Sequence, residues 1–326
     1  MSRTARSTRQ PDRVVVAAVQ ASPVFLDLEA TLAKALALTA EAASLGAKLI
    51  VFPEAFLAGY PYWLWGNDAS IEQQAFVDLW DAAIDVPGPH TAELAAAAGD
   101  AGAVLMIGVN ERESTHGRAT LFNTLLTFDS TGVLVRRHRK IMPTYKERTV
   151  YGMGDGSGLP AVDSTLGQLG GLICWENFMP IARYHQYGQG VRIYTAVTVD
   201  DSQSWHNLML TIAAEGRCFV VAAAQYFSRG MFTDHRYLGG FADDVDSLAN
   251  GGSVVVEPGG TVLAGPLRHQ EGIVCAELDL RQVQAGKHSL DVTGHYARPD
   301  IFRLEVETSP RLPFGRASTA GGDGAR

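Results

Sequence analysis

Short apolar runs rich in β-branched residues alternate along this chain with longer Ala- and Leu-rich stretches. That alternation restricts the architecture, because strands that take turns with helices build largely parallel sheets with helices laid over their faces. The strand candidates are 14–20 (VVVAAVQ), 48–54 (KLIVFPE), 103–110 (AVLMIGVN), 123–129 (NTLLTFD), 132–140 (GVLVRRHRK) and 170–176 (GGLICWE). They continue with 192–199 (RIYTAVTV), 218–226 (CFVVAAAQY), 253–258 (SVVVEP), 261–265 (TVLAG) and 273–280 (IVCAELDL). Several are apolar at consecutive positions, the mark of a strand covered on both sides. Between them, 27–45, 69–83, 90–101, 177–188 and 203–216 carry helical spacing and strong helix formers. Asp27 and the pair Asp201-Ser202 stand where N-caps belong.

The order repeats itself. A strand ending in polar residues leads to a helix and another apolar strand in 48–110 and again in 170–226, and antiparallel hairpins at 123–140 and 253–265 close each half. Two mixed sheets with helices outside make a layered α/β sandwich. No Pro/Gly/Ser linker divides the chain, so residues 12–308 are expected to form one domain. The ends, 1–11 and 309–326, hold few core-forming residues and are expected to be disordered tails. The stretch 227–252, rich in Gly and Asp without a clear period, is expected to be a long loop that carries specificity or partner contacts.

Composition narrows the function classes. Of 326 residues, 46% are hydrophobic, enough to bury a large core. A formal net charge of -8 offers no field for a polyanion, so nucleic acid is not an expected partner, and the RRHRK run at 136–140 does not change that balance. The three cysteines, Cys174, Cys218 and Cys275, are too few and too far apart for a disulfide framework or a cysteine zinc site. A reducing cytoplasm is the expected compartment. The N-terminal arm is basic, but no apolar stretch of signal-peptide length follows it, and no run approaches the length that crosses a bilayer.

Three polar residues stand at the ends of strand candidates: Glu54 after KLIVFP, Lys140 after VLVRRHR, and Cys174 after LGGLI. Strand ends in open α/β sheets face the crevice where ligands bind. A carboxylate that takes a thiol proton, a thiol that attacks carbon and an ammonium that steadies developing negative charge suit addition to a nitrile or an amide. Each also has a plainer reading: Cys174 as a small core residue, Glu54 as a loop cap, Lys140 as part of a solvated basic face. His138, His206 and His295 are distant in sequence, and nothing has metal-ligand spacing.

The words around these residues weigh more than the residues alone. FPEAFLAGYPYW (52–63), HRKIMPTYKER (138–148), GMGDG (152–156) and ICWENFMP (173–180) closely resemble the signatures of the nitrilase superfamily. TVDDSQSW (198–205), AAEGRCFVVAAAQY (213–226), GGSVVVEPGG (251–260) and GHYARPD (294–300) extend the likeness from about Val14 to about Asp300. CWEN after a strand, with GYPYW and HYARPD, resembles the nitrilase branch more than the amidase or carbamoylase branches.

The resemblance implies a four-layer αββα sandwich. It also implies a general base at Glu54, a catalytic lysine at Lys140, a nucleophile at Cys174 and a second pocket glutamate at Glu147, whose plainer reading is a salt bridge with Arg148. Tyr60, Trp175, Val197 and Thr198 are the expected substrate contacts. Valines at 197 and 199 depart from the Pro and Ala of many relatives, which puts pocket width in doubt. No metal and no organic cofactor is implied. The expected partners are a small nitrile substrate and further copies of the chain, a dimer building block that extends into a spiral or filament. An amidase, a cyanide hydrolase and a catalytically inactive binding subunit are the competing readings. The last conflicts with the presence of Glu54, Lys140 and Cys174 together.

Overall fold

The apolar run at 14–20 becomes β1 (Arg13–Gln20), the strand on which the first sheet is assembled. The structure is a computed structural model that describes residues 12–66, 69–113, 118–232, 234–238, 241, 242 and 246–311. The arm 1–11 and most of the tail lie outside the described residues.

After β1 come α1 (Leu28–Ser44), β2 (Ala47–Val51), the short α2 (Trp63–Gly66), α3 (Glu72–Ala82), α4 (Pro89–Ala101), β3 (Val104–Glu113), β4 (Thr120–Phe128) and β5 (Leu134–Arg139). The second half holds β6 (Val162–Ser164), β7 (Gly167–Ile173), α5 (Pro180–Gly188), β8 (Ile193–Thr198), α6 (Gln203–Gly216) and β9 (Phe219–Ala224). Then follow β10 (Tyr226–Ser228), β11 (Ser247–Val256), β12 (Val262–Arg268), β13 (Gly272–Asp279) and α7 (Arg281–Ser289). Both foreseen caps form. The Asp27 side chain accepts the Ala30 N–H at 2.9 Å, and Ser202 Oγ accepts that of Trp205 at 3.2 Å.

One sheet has the order β13-β1-β2-β3-β4-β5, and the other β10-β11-β9-β8-β7-β6 with β12 beside β11. In each, a parallel centre (β1, β2 and β3; β7, β8 and β9) is flanked by antiparallel strands. The two halves repeat, as the sequence order indicates. The last strand breaks the repeat: β13 crosses back to pair with β1 in the first sheet, Ala17 opposite Cys275.

The sheets face each other through Val16, Val51, Met106, Leu125, Ile173, Val197, Phe219 and Val255. Outside the first sheet, Leu32 and Ala35 of α1 and Leu94 and Ala98 of α4 pack on Ile50, Leu105 and Phe128. Outside the second, Ala182 and Tyr187 of α5 and Met209 and Ile212 of α6 pack on Leu172, Tyr194 and Val220. This is a four-layer αββα sandwich. With strands covered on both faces, their runs must be apolar throughout.

The described part of 227–252 is more ordered than its composition indicates. It holds the end of β10, 3₁₀ turns at Arg229–Met231 and His235–Leu238, and the start of β11. Local period is a poor guide there, because Phe227, Phe232 and Tyr237 are fixed by packing on the distant Phe25. Helix α5 begins at Pro180 rather than at 177, since Cys174–Phe178 forms a separate 3₁₀ turn. Among the described residues no helix is long and apolar enough to cross a membrane.

Candidate active site

Strands β2 and β5 run the same way in the first sheet, so Glu54 and Lys140, just past their ends, reach the same edge. Cys174 follows β7 of the facing sheet. The three meet in the crevice between the sheet edges, and all are buried.

Lys140 Nζ donates to Glu54 Oε1 at 2.7 Å and to Glu147 Oε2 at 2.8 Å. Glu147 thus pairs with Lys140, not with Arg148, and its other oxygen accepts the Tyr60 hydroxyl at 2.8 Å. Its place is set by a 3₁₀ turn, Tyr145–Thr149, entered through Tyr145 at φ 44° and closed by the Thr144 N–H on Oε2 at 2.8 Å. Asn123 on β4 donates to Glu54 Oε1 at 2.7 Å, and the Val199 N–H approaches Oε2 at 3.2 Å. Behind them, Gln225 donates to the Glu54 carbonyl at 2.9 Å and accepts the Tyr62 hydroxyl at 2.9 Å.

The loop that carries Glu54 lies flat on β3. Gly108 donates its N–H to the Pro53 carbonyl at 3.1 Å and accepts that of Leu57 at 3.2 Å. A Cβ on Gly108 would stand 2.3 Å from Pro53 O and 2.7 Å from Glu54 Cα, both backbone atoms that cannot step aside. Gly108→Ala is therefore expected to push Glu54 off Lys140 and Asn123. Overpacking of this kind costs about 1–3 kcal/mol of stability and, with the Glu54 carboxylate displaced, is expected to lower any turnover at this cluster at least about tenfold. Circular dichroism and an activity assay check it; a folded variant with more than half the normal rate would show that Glu54 does not depend on this contact.

Cys174 sits at φ 49°, a left-handed conformation that a side chain adopts only when its surroundings impose it. The turn lifts Sγ out of the strand, and Thr198 Oγ1 donates to it at 3.2 Å. Burial, and the negative charge of Glu54, push the Cys174 thiol well above its usual range despite Lys140. These surroundings favour the neutral thiol over the thiolate. Burial raises Glu54 as well, against the pull of Lys140. Burial also opposes the Lys140 charge, but Glu54 and Glu147 outweigh it and hold the ammonium well above the normal lysine range. A proton moved from Cys174 to Glu54 leaves the total charge of this buried cluster unchanged, so activating the thiol does not bury an additional charge.

The remaining expected contacts are placed unevenly. Tyr60 and Thr198 touch the cluster directly. Val197 is buried between the sheets with Ile173 and Ala223. The Trp175 side chain is 52% exposed, its indole N–H on Asp200 Oδ2 at 2.8 Å.

Sequence reasoning passed over Asn123, Gln225 and Glu176, and weighed His138 only as a metal ligand. His138 Nε2 lies 2.9 Å from Glu176 Oε2, and the Glu176 carboxylate also accepts the N–H of Ile173 at 2.7 Å and of Ile141 at 2.5 Å. Alternation along β5 was the available signal. Arg136, His138 and Lys140 point inward, whereas Arg137 and Arg139 point to Glu111 on the other side.

The carbon-nitrogen hydrolase family pattern matches residues 15–288. A nitrilase of Bradyrhizobium diazoefficiens is 43% identical over 95% of this chain and 97% of its own length. An aliphatic nitrilase of Sinorhizobium fredii is 45% identical, over 90% and 96% respectively. A solved carbon-nitrogen hydrolase from Helicobacter pylori, at 19% identity, covers 89% of this chain and 97% of its own with a TM-score of 0.72, and so supports the fold. The chain belongs to the carbon-nitrogen hydrolase family, hydrolases of carbon–nitrogen bonds, and stands in its nitrilase branch.

Proposed function

We propose that the chain hydrolyses an organic nitrile to the carboxylic acid and ammonia through covalent intermediates on Cys174. The observation that carries this is the buried Cys174 thiol, held in a left-handed turn beside the Glu54–Lys140–Glu147 cluster. The nitrilase names of the relatives support the substrate class.

Glu54 takes the thiol proton as Sγ adds to the nitrile carbon and passes it to the nitrogen, which gives a thioimidate and returns Glu54 to its carboxylate form. Lys140 and the backbone N–H at Trp175 steady the negative charge that develops on nitrogen. Glu54 then activates a water that adds to the thioimidate carbon. The tetrahedral adduct expels ammonia and leaves a thioester, and a second water releases the acid and restores the thiol. Loss of the thiolate from the same adduct would release the amide instead. Glu147 holds Lys140, and Tyr60 holds Glu147. Tyr60, Val197, Thr198 and the Trp175 backbone border the substrate. The cysteines that carry no disulfide fit a cytoplasmic location.

The test is ammonia release from a panel of aliphatic, arylaliphatic and aromatic nitriles and their matching amides, with formate measured from cyanide. Nitriles are expected to exceed their amides by at least about tenfold in kcat/KM, a barrier difference of about 1.4 kcal/mol. A preference for the amides would overturn the reading in favour of an amidase, and formate as the chief product would point to cyanide hydrolysis.

A further inference from the structure

Glu176 is a buried carboxylate with no lysine or arginine among its hydrogen-bond partners in the described residues, and it is not one of the groups the proposed reaction uses. Its three donors are informative because of where they lie. The Ile173 N–H immediately precedes Cys174, the Ile141 N–H immediately follows Lys140, and His138 is the inward residue one step before Lys140 on β5. One carboxylate therefore grips the backbone on the flank of the nucleophile and on the flank of the lysine, although these residues belong to different sheets.

The histidine is itself fixed. Gly158 lies against it so closely that a Cβ there would stand 2.6 Å from His138 Cα and 3.0 Å from its Nδ1. Nδ1 has no hydrogen-bond partner among the described residues, while Nε2 meets an oxygen of a carboxylate, an acceptor that calls for the hydrogen on Nε2. Burial works against the ionised form of Glu176, but His138 and the two backbone N–H groups overcome it and hold the carboxyl below its ordinary value. The left-handed turn at Cys174 also needs an outside restraint to persist, and the Glu176–Ile173 bond closes that turn.

We propose that Glu176 and His138 are a positioning pair that sets the Cys174 thiol against Lys140, a role that rests on the reading of those two residues as nucleophile and catalytic lysine. Neither touches the reacting atoms. Without the pair, the two sheet edges keep their strands but lose the bond that registers one reactive group on the other. Small displacements of this kind lower turnover more than they lower binding.

In Glu176→Gln, the amide nitrogen must face either Ile141 or the Ile173 and His138 side, so part of the grip is lost at almost constant shape. Its kcat on the best nitrile is expected to fall on the order of 10- to 100-fold with KM changed less than about threefold. Alkylation of Cys174 by iodoacetamide is expected to slow in parallel, a readout that does not depend on nitrile chemistry. His138→Gln, which can still present an N–H to Glu176, is expected to recover part of the rate that His138→Leu loses. The His138 pair also serves if Glu176→Gln fails to fold. A folded Glu176→Gln enzyme, or a folded His138→Leu enzyme, with kcat and alkylation rate within twofold of the parent would overturn the proposal. So would a loss of thermal stability with no loss of rate per folded molecule. Failure of the nitrile reading shows differently: the parent itself would be inert toward nitriles while the alkylation comparison still reports on the pair.

Discussion

Replacing Cys174 with Ala is expected to reduce ammonia release from any nitrile to background, a loss of about 10⁴-fold or more, because no other group in the cluster can hold the substrate carbon covalently. Cys174→Ser is expected to fail nearly as badly. A hydroxyl is much harder to deprotonate than a thiol, so the same carboxylate activates it far less. Either variant with near-normal turnover would remove Cys174 from the mechanism. The same position makes a second, independent forecast about stability. At φ 49° both Cys and Ala carry the left-handed penalty, about 1–2 kcal/mol, while glycine does not. Cys174→Gly is therefore expected to be as stable as Cys174→Ala or more so, although glycine costs stability at ordinary positions. Denaturant midpoints of the two inactive proteins decide it. An Ala variant clearly more stable than the Gly variant would mean that the turn is not strained.

The architecture was legible because it depends on pattern. Strands such as 192–199 and 218–226 are apolar at successive positions, and only a sheet covered on both faces has use for that. That Glu54, Lys140 and Cys174 meet at one sheet edge followed from their strand-end positions, whereas the roles proposed for them come from the motifs around them. What escaped detection depends on distance across the fold. Asn123 reads as a strand residue and Gln225 as the end of an apolar run, yet both hold Glu54, from 69 and 171 positions away. Glu176 lies two residues from Cys174 in a motif that resemblance brings out, but resemblance alone does not reveal that it reaches Ile141. The β13 crossover was also invisible, because a strand's own sequence does not specify which of two sheets it joins. At Phe227, Phe232 and Tyr237 the aromatic contacts with Phe25 supply order that the surrounding Gly- and Asp-rich composition conceals.

Lys140→Met is expected to be the most damaging change to stability as well as a severe one to rate, and the two losses have different origins. The lysine is fully buried, and so are both carboxylates that accept from it. Removing it leaves Glu54 and Glu147 facing each other with no cation between them, and breaking a buried ion pair in this way costs about 3–5 kcal/mol. The carboxylates can escape part of that cost by binding a proton, so the destabilisation is expected to shrink as pH is lowered. This agrees with the sign of the linkage: loss of the cation raises the folded-state pKa of a carboxylate, and protonation then favours the folded form. Adding Glu147→Gln to Lys140→Met is expected to recover a substantial part of the lost stability, because a neutral amide does not need the missing charge. Turnover is not expected to follow. The developing negative nitrogen still lacks its cation, and kcat is expected to stay down on the order of 10²- to 10³-fold in both the single and the double variant. Urea midpoints at two pH values, with ammonia release from the same preparations, separate the two effects. If the double variant regained rate along with stability, Lys140 would be a structural counter-ion only, and the nitrogen would have to find its stabilisation elsewhere in the crevice.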